Sequence, residues 1–154
     1  MSGLKEDLRD DLTRSMKARD PLRSSTLRMV LTAITTAEVS GKQARELSDD
    51  QILDVLISEG KKRREAASAY DEAGRTDLAD KERAESAVLA DYLPEPLGAD
   101  ELAAIVAKAI TDTGAAPEGM KAMGRVMGTV QPQVKGRADG AAVAAEVRRQ
   151  LTAG

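Results

Sequence analysis

Apolar side chains recur along this chain at three- and four-residue intervals, with no stretch of strict alternation. Leu4, Leu8 and Leu12 predict a first amphipathic helix, which Ser2 is placed to cap. Asp20-Pro21 reads as a second helix start, Asp as N-cap and Pro at the first helical position. That helix is expected to run to about Ser40, with Leu27, Val30, Leu31 and Ile34 on one face and Gly41 closing it. Ser48-Asp49-Asp50-Gln51 forms a capping box ahead of Ile52, Val55 and Leu56, and opens a long third helix to Ala73 with Gly74 as its stop. A fourth spans roughly Thr76 to Tyr92.

Leu93-Pro94-Glu95-Pro96-Leu97-Gly98 interrupts the pattern and marks a domain boundary. Beyond it, Leu102, Ile105, Val106, Ala109 and Ile110 fit the apolar stripe of a helix. Gly114 and Pro117 separate that helix from one expected over about Glu118 to Val130. The last carries Val143, Val147 and Leu151 in a stripe. The pattern therefore predicts an all-α protein: an N-terminal helical bundle over residues 1–93, a Pro/Gly linker over 94–98, and a small three-helix domain over 99–154.

Composition agrees. Of 154 residues, 42 % are apolar, yet there is no Phe, no Trp and only two Tyr, Tyr70 and Tyr92. Such an Ala- and Leu-rich core favours helix over strand. Net charge is −3, so no global field gathers polyanions. Residues 1–96 hold 16 Lys and Arg against 20 Asp and Glu, whereas residues 97–154 hold 7 against 6. Any grip on an anion must be a local patch. The absence of cysteine, of an apolar leader in MSGLKEDL and of any membrane-length apolar run leads to the expectation of a cytoplasmic protein with no membrane partner.

The chemistry is narrow. With no His and no Cys, the usual general base, thiol nucleophile and zinc ligands are missing. The expectation is no catalytic residue, no metal ligand and no cofactor. Gly119 to Val126 has the glycine spacing of a phosphate loop but lacks its Lys and hydroxyl, and no strand precedes it.

The segment MKAMGRVMGTVQPQVKGRADG, residues 120–140, departs from ordinary amphipathic helix. On a wheel at about 100° per residue, Met120, Met123, Val126, Met127 and Val130 form an apolar stripe, while Lys121, Gly124, Arg125 and Gly128 fall opposite. A mid-helix glycine costs about 0.5–1 kcal/mol relative to alanine. Close packing would explain glycine on a core face. On an outward face, close approach by an external partner is the better explanation, and two flanking cations suit a phosphate backbone. The following turn adds Lys135, Gly136 and Arg137. Gly136 at positive φ would let neighbouring N–H groups face an anion, beside the positive end of the last helix. The plainer reading makes this a tight helix–helix turn in which Asp139 is an N-cap. Lys61-Lys62-Arg63-Arg64, flanked by Glu59 and Glu65, reads as a solvated helix face held by pairs four apart.

Ala73-Gly74-Arg75-Thr76-Asp77-Leu78-Ala79-Asp80-Lys81-Glu82, then Tyr92-Leu93-Pro94, then Met123-Gly124-Arg125-Val126-Met127 and Val134-Lys135-Gly136-Arg137-Ala138-Asp139-Gly140, together resemble the GatB/YqeY family in its free-standing form. The resemblance covers nearly the whole chain. It implies two all-α domains, the second similar to the tail domain of the tRNA-dependent amidotransferase B subunit, which contacts tRNA while catalysis occurs elsewhere. It also implies an association with carbon–nitrogen ligase activity using glutamine as amido donor. The catalytic core of that larger enzyme has no counterpart here.

The leading expectation is thus a non-catalytic accessory module, linked to tRNA-dependent amidation or aminoacylation, that grips tRNA or other structured RNA through phosphates. Its RNA-binding candidates are Lys121, Gly124, Arg125, Gly128, Lys135, Gly136 and Arg137. An aminoacyl-tRNA amidotransferase or synthetase is the expected protein partner. DNA is not expected, and without Phe, Trp or His to stack on bases, recognition would be by shape and charge. The alternatives are weak glutamine-dependent amide transfer, and a scaffold whose Gly124 and Gly128 receive a partner helix.

Overall fold

The computed structural model describes residues 3–153, and among them it contains seven α-helices, one 3-10 helix and no strand. In chain order these are α1 Leu4–Lys17, α2 Pro21–Glu38, α3 Asp49–Glu72, α4 Thr76–Ala90, α5 Ala99–Thr113, the 3-10 helix Ala116–Ala122, α6 Met123–Val134 and α7 Gly140–Ala153. The all-α expectation holds. The chain divides into two compact units, Met1–Leu93 and Pro94–Gly154.

In the first unit the local signals act as read. The Asp20 side chain accepts the Arg23 N–H at 3.1 Å ahead of Pro21. Ser48 and Gln51 complete a reciprocal box at 3.2 and 2.9 Å. Gly74 takes φ +75° just past α3. Ser2 lies outside the described residues, and Gly3 stands at the N-cap of α1. The core is Leu8, Leu27, Val30, Ile34, Ile52, Leu56, Val88 and Leu89, one apolar stripe from each of four helices. Burying each such side chain contributes about 1.5–3 kcal/mol.

Two ends differ from the periodic reading. Helix α2 stops at Glu38, two residues early, and the buried Glu38 carboxylate there accepts from Lys5 Nζ at 2.7 Å and from the Leu47 N–H at 3.2 Å. Helix α4 stops at Ala90, and Tyr92 instead reaches α1, where its hydroxyl donates to Asp11.

Arg63 also departs from expectation. Lys61, Lys62 and Arg64 are exposed, but the Arg63 side chain is only 20 % exposed. It sits between Glu59 at 3.1 Å and the α4 residues Glu82 and Glu85, each at 3.7 Å. The basic run is a solvated face at three positions and an interhelical ion cluster at the fourth.

The second unit is built on valine. Val106, Val126, Val130, Val134, Val143 and Val147 are all at most 1 % exposed, packed with Leu102, Ala109, Ile110 and Leu151. Gly114 takes φ +65° and ends α5 in the left-handed conformation. Residues 95–97, expected as linker, are anchored on this unit. The Leu97 N–H donates to the Arg137 carbonyl at 2.8 Å, the Arg137 Nε donates to the Glu95 carbonyl at 3.0 Å, and Leu97 packs on the valine core.

Candidate functional site

The helix expected over residues 118–130 is split. Residues 116–122 wind as 3-10 helix, broken by Gly119 at φ 57°, ψ −138°, and α6 begins at Met123. Because 3-10 winding shifts the phase, Met120 leaves the apolar stripe and stands 44 % exposed. Helix α6 then continues four residues beyond the expected end, through Pro132 to Val134.

Within α6 the two faces separate as the wheel predicts. Val126 and Val130 are fully buried, with Met123 and Met127 packed against the same core. Gly124, Arg125 and Gly128 are exposed. A Cβ placed on Gly124 or Gly128 meets nothing within 4 Å. No packing inside the unit requires glycine at either position, so their helix-weakening cost has no compensation within the fold. Lys121 is exposed at the end of the 3-10 helix, and Arg125 pairs with Glu118 across the 3-10/α6 junction. Both partners of that pair are about half exposed, 47 % and 46 %, the range in which an ion pair contributes little and exchanges readily for another anion.

The turn is different. Gly136 does take φ +76°, as the turn requires. Yet the surrounding groups are used inside the protein. Arg137 holds residues 95–97 and lies 4.0 Å from Glu101. Lys135 is half-buried and already engaged. Asp139 offers its carboxylate to the Ala141 N–H at 3.4 Å, so the positive end of α7 carries the protein's own anion. Arg137 and Asp139 thus find partners inside the unit, in keeping with the plainer reading of this turn. What remains outward is Lys121, Gly124, Arg125 and Gly128.

Farther along α7, Glu146 receives both Arg149 nitrogens at 2.9 and 2.5 Å and the Gln150 amide at 2.8 Å. These hydrogen bonds, Arg149 first, hold its carboxyl down at about 2. Gln150 also donates to the Ala103 carbonyl at 2.9 Å, tying α7 to α5. Sequence reading missed this tie, although Glu146-x-x-Arg149 at three-residue spacing was visible as a helix pair. No helix among the described residues is long and apolar enough to cross a membrane.

The family described as Yqey-like protein matches residues 5–151 of the chain. An uncharacterized protein of Schizosaccharomyces pombe is 38 % identical over 88 residues, 57 % of this chain and 70 % of that protein. The protein named altered inheritance of mitochondria protein 41, mitochondrial, from Pyrenophora tritici-repentis is 31 % identical over 134 residues, 85 % of this chain and 71 % of its own length. The protein of the same name from Kluyveromyces lactis is 32 % identical over 85 residues, 55 % of this chain and 45 % of that one. The cytoplasmic expectation does not survive this comparison, since both named relatives are mitochondrial. Cysteine-free composition and the lack of a membrane-length helix fit an organelle interior as well as the cytosol, which is why they could not decide the compartment.

Proposed function

The chain belongs to the YqeY-like protein family, and on that premise we propose that its second unit is a non-catalytic docking module for structured RNA, with tRNA as the expected class. The observation that carries this reading is the exposed face of α6, where Gly124 and Gly128 leave bare backbone beside Arg125, with Lys121 one turn before it. Bare backbone admits a partner's backbone at close range, and the two cations neutralise the phosphates that come with it. Arg125 exchanges its exposed Glu118 partner for a phosphate at little cost. The patch is small, which matches a protein of net charge −3 that meets RNA through a local grip rather than a global field.

A salt titration of binding to total tRNA tests this. The slope of log affinity against log salt is expected to correspond to a few phosphates, at about 0.7–0.9 per contact. Removing Lys121 or Arg125 should each lower the slope by about one. No binding at low salt overturns the reading.

A further inference from the structure

Pro132 lies inside α6 and has no N–H, so the helix bond that would close on the carbonyl four residues back cannot form. That carbonyl is Gly128's. Two side-chain donors of the same helix serve other carbonyls: the Thr129 hydroxyl donates to Arg125 at 3.2 Å and the Gln133 amide to Thr129 at 3.0 Å. Gly128 is exposed, and a Cβ built on it meets nothing within 4 Å, so a partner can approach its backbone closely. The outward face of α6 therefore offers a strong acceptor whose ladder partner has been removed. It lies three residues, about 4.5 Å of helix rise, beyond the cation Arg125.

An acceptor repels phosphate oxygens, so this carbonyl does not serve the phosphate grip. Its complement is a hydroxyl or N–H lying between phosphates. On an A-form helix the wide, shallow minor groove presents ribose 2′-hydroxyls flanked by phosphates, open to a helix face without side chains. Building on the RNA-docking reading, we propose that the Gly128 carbonyl accepts a hydrogen bond from a ribose 2′-hydroxyl, and that Pro132 is the residue that makes it available. The pair Gly128/Pro132 then selects RNA over DNA, while Lys121 and Arg125 supply affinity to either.

The test compares a tRNA transcript with the same strand carrying 2′-O-methyl ribose, which retains phosphate charge and A-form geometry but loses the donor. The full chain should bind the hydroxyl form about tenfold more tightly. In Pro132→Ala the new N–H closes on Gly128, and the two forms should bind alike, with helicity by circular dichroism no lower than in the parent. Gly128→Leu, which points into open space, should weaken both forms. Equal binding of both forms by the parent protein overturns the inference and leaves the RNA reading standing. Discrimination that persists in Pro132→Ala overturns the assignment to Gly128. Failure to bind either form at low salt overturns the inference together with the RNA reading, and leaves the carbonyl to a peptide donor.

Discussion

The Tyr92 hydroxyl donates its hydrogen to the Asp11 carboxylate, joining the chain just past α4 to the first helix across 81 positions of sequence. Arg23 braces the same pair, reaching the Tyr92 oxygen at 3.5 Å and Asp91 at 2.9 Å. Burial first, then the hydrogen bond to Asp11, pushes the phenol up to about 12. Burial raises the Asp11 carboxyl, but hydrogen bonds from Tyr92 and Arg14 outweigh it and leave the group below the usual carboxylate range. Because the folded phenol holds its proton more tightly than the unfolded one, the stability it supplies is complete below pH 10. It is lost as pH rises through about 12.

Tyr92→Phe is accordingly expected to lower stability by about 1 kcal/mol near neutral pH, read from urea midpoints. It should also remove the part of the alkaline loss that the parent shows between pH 10 and 12. An identical alkaline profile in the variant would mean that Tyr70 or the lysines carry that loss.

Arg63 has three carboxylates around it, and its cationic neighbours Lys62 and Arg64 are both exposed. Arg63→Ala leaves Glu59, Glu82 and Glu85 facing one another in a poorly solvated seam, with Lys62 the remaining cation on Glu59 at 3.2 Å. A loss of about 2–3 kcal/mol is expected, somewhat below that of a fully buried broken pair because the glutamates retain some exposure. Arg64→Ala should stay within about 0.5 kcal/mol. Thermal melts of the two variants side by side distinguish a cluster from a solvated face.

That contrast shows where the sequence could be read and where it could not. Helix class and caps at Asp20, Ser48, Gly74 and Gly114 follow from local chemistry, and each acts at its own position. Arg63 was misplaced because spacing within α3 explains Glu59 and says nothing of Glu82 and Glu85, which arrive from another helix. The anchoring of residues 95–97 was hidden for the same reason: two prolines announce a break, but only the fold brings Arg137 to hold it. At the candidate site the outward glycines were legible because helical phase is local. The commitment of Lys135 and Arg137 to internal partners was not, whereas Asp139 caps α7 as its N-cap reading has it.

Glycines in this one segment should respond to alanine in opposite directions. Gly128 lies mid-helix and Gly124 in the first turn of α6, both with open space around a Cβ, so alanine should stabilise by about 0.5–1 kcal/mol at Gly128 and by less at Gly124. Gly136 stands at φ +76°, where a side chain costs about 1–2 kcal/mol, so Gly136→Ala should destabilise. If Gly124→Ala and Gly128→Ala also weaken tRNA binding while raising the melting temperature, those glycines are retained for a partner. Unchanged affinity in both would remove the glycine face from the binding surface.

Acid should expose the tie between α7 and α5. Glu146 is held at about 2 against an ordinary 4.5, chiefly by Arg149 and then by Gln150. A carboxyl whose folded value is depressed stabilises the fold above its unfolded value, and that contribution is lost as pH falls from 4.5 toward 2. Protonation there releases Gln150, whose other hydrogen bond reaches the Ala103 carbonyl on α5. Both tyrosines lie in the first unit, so tyrosine signals cannot follow this event, whereas the buried Val143 and Val147 methyls can. Their resonances are expected to lose native dispersion as the solution is acidified over that range. In Glu146→Gln they should change less, from a lower starting stability, because the amide cannot titrate. Matching acid profiles in parent and variant would show that α7 is held to α5 by its valines alone.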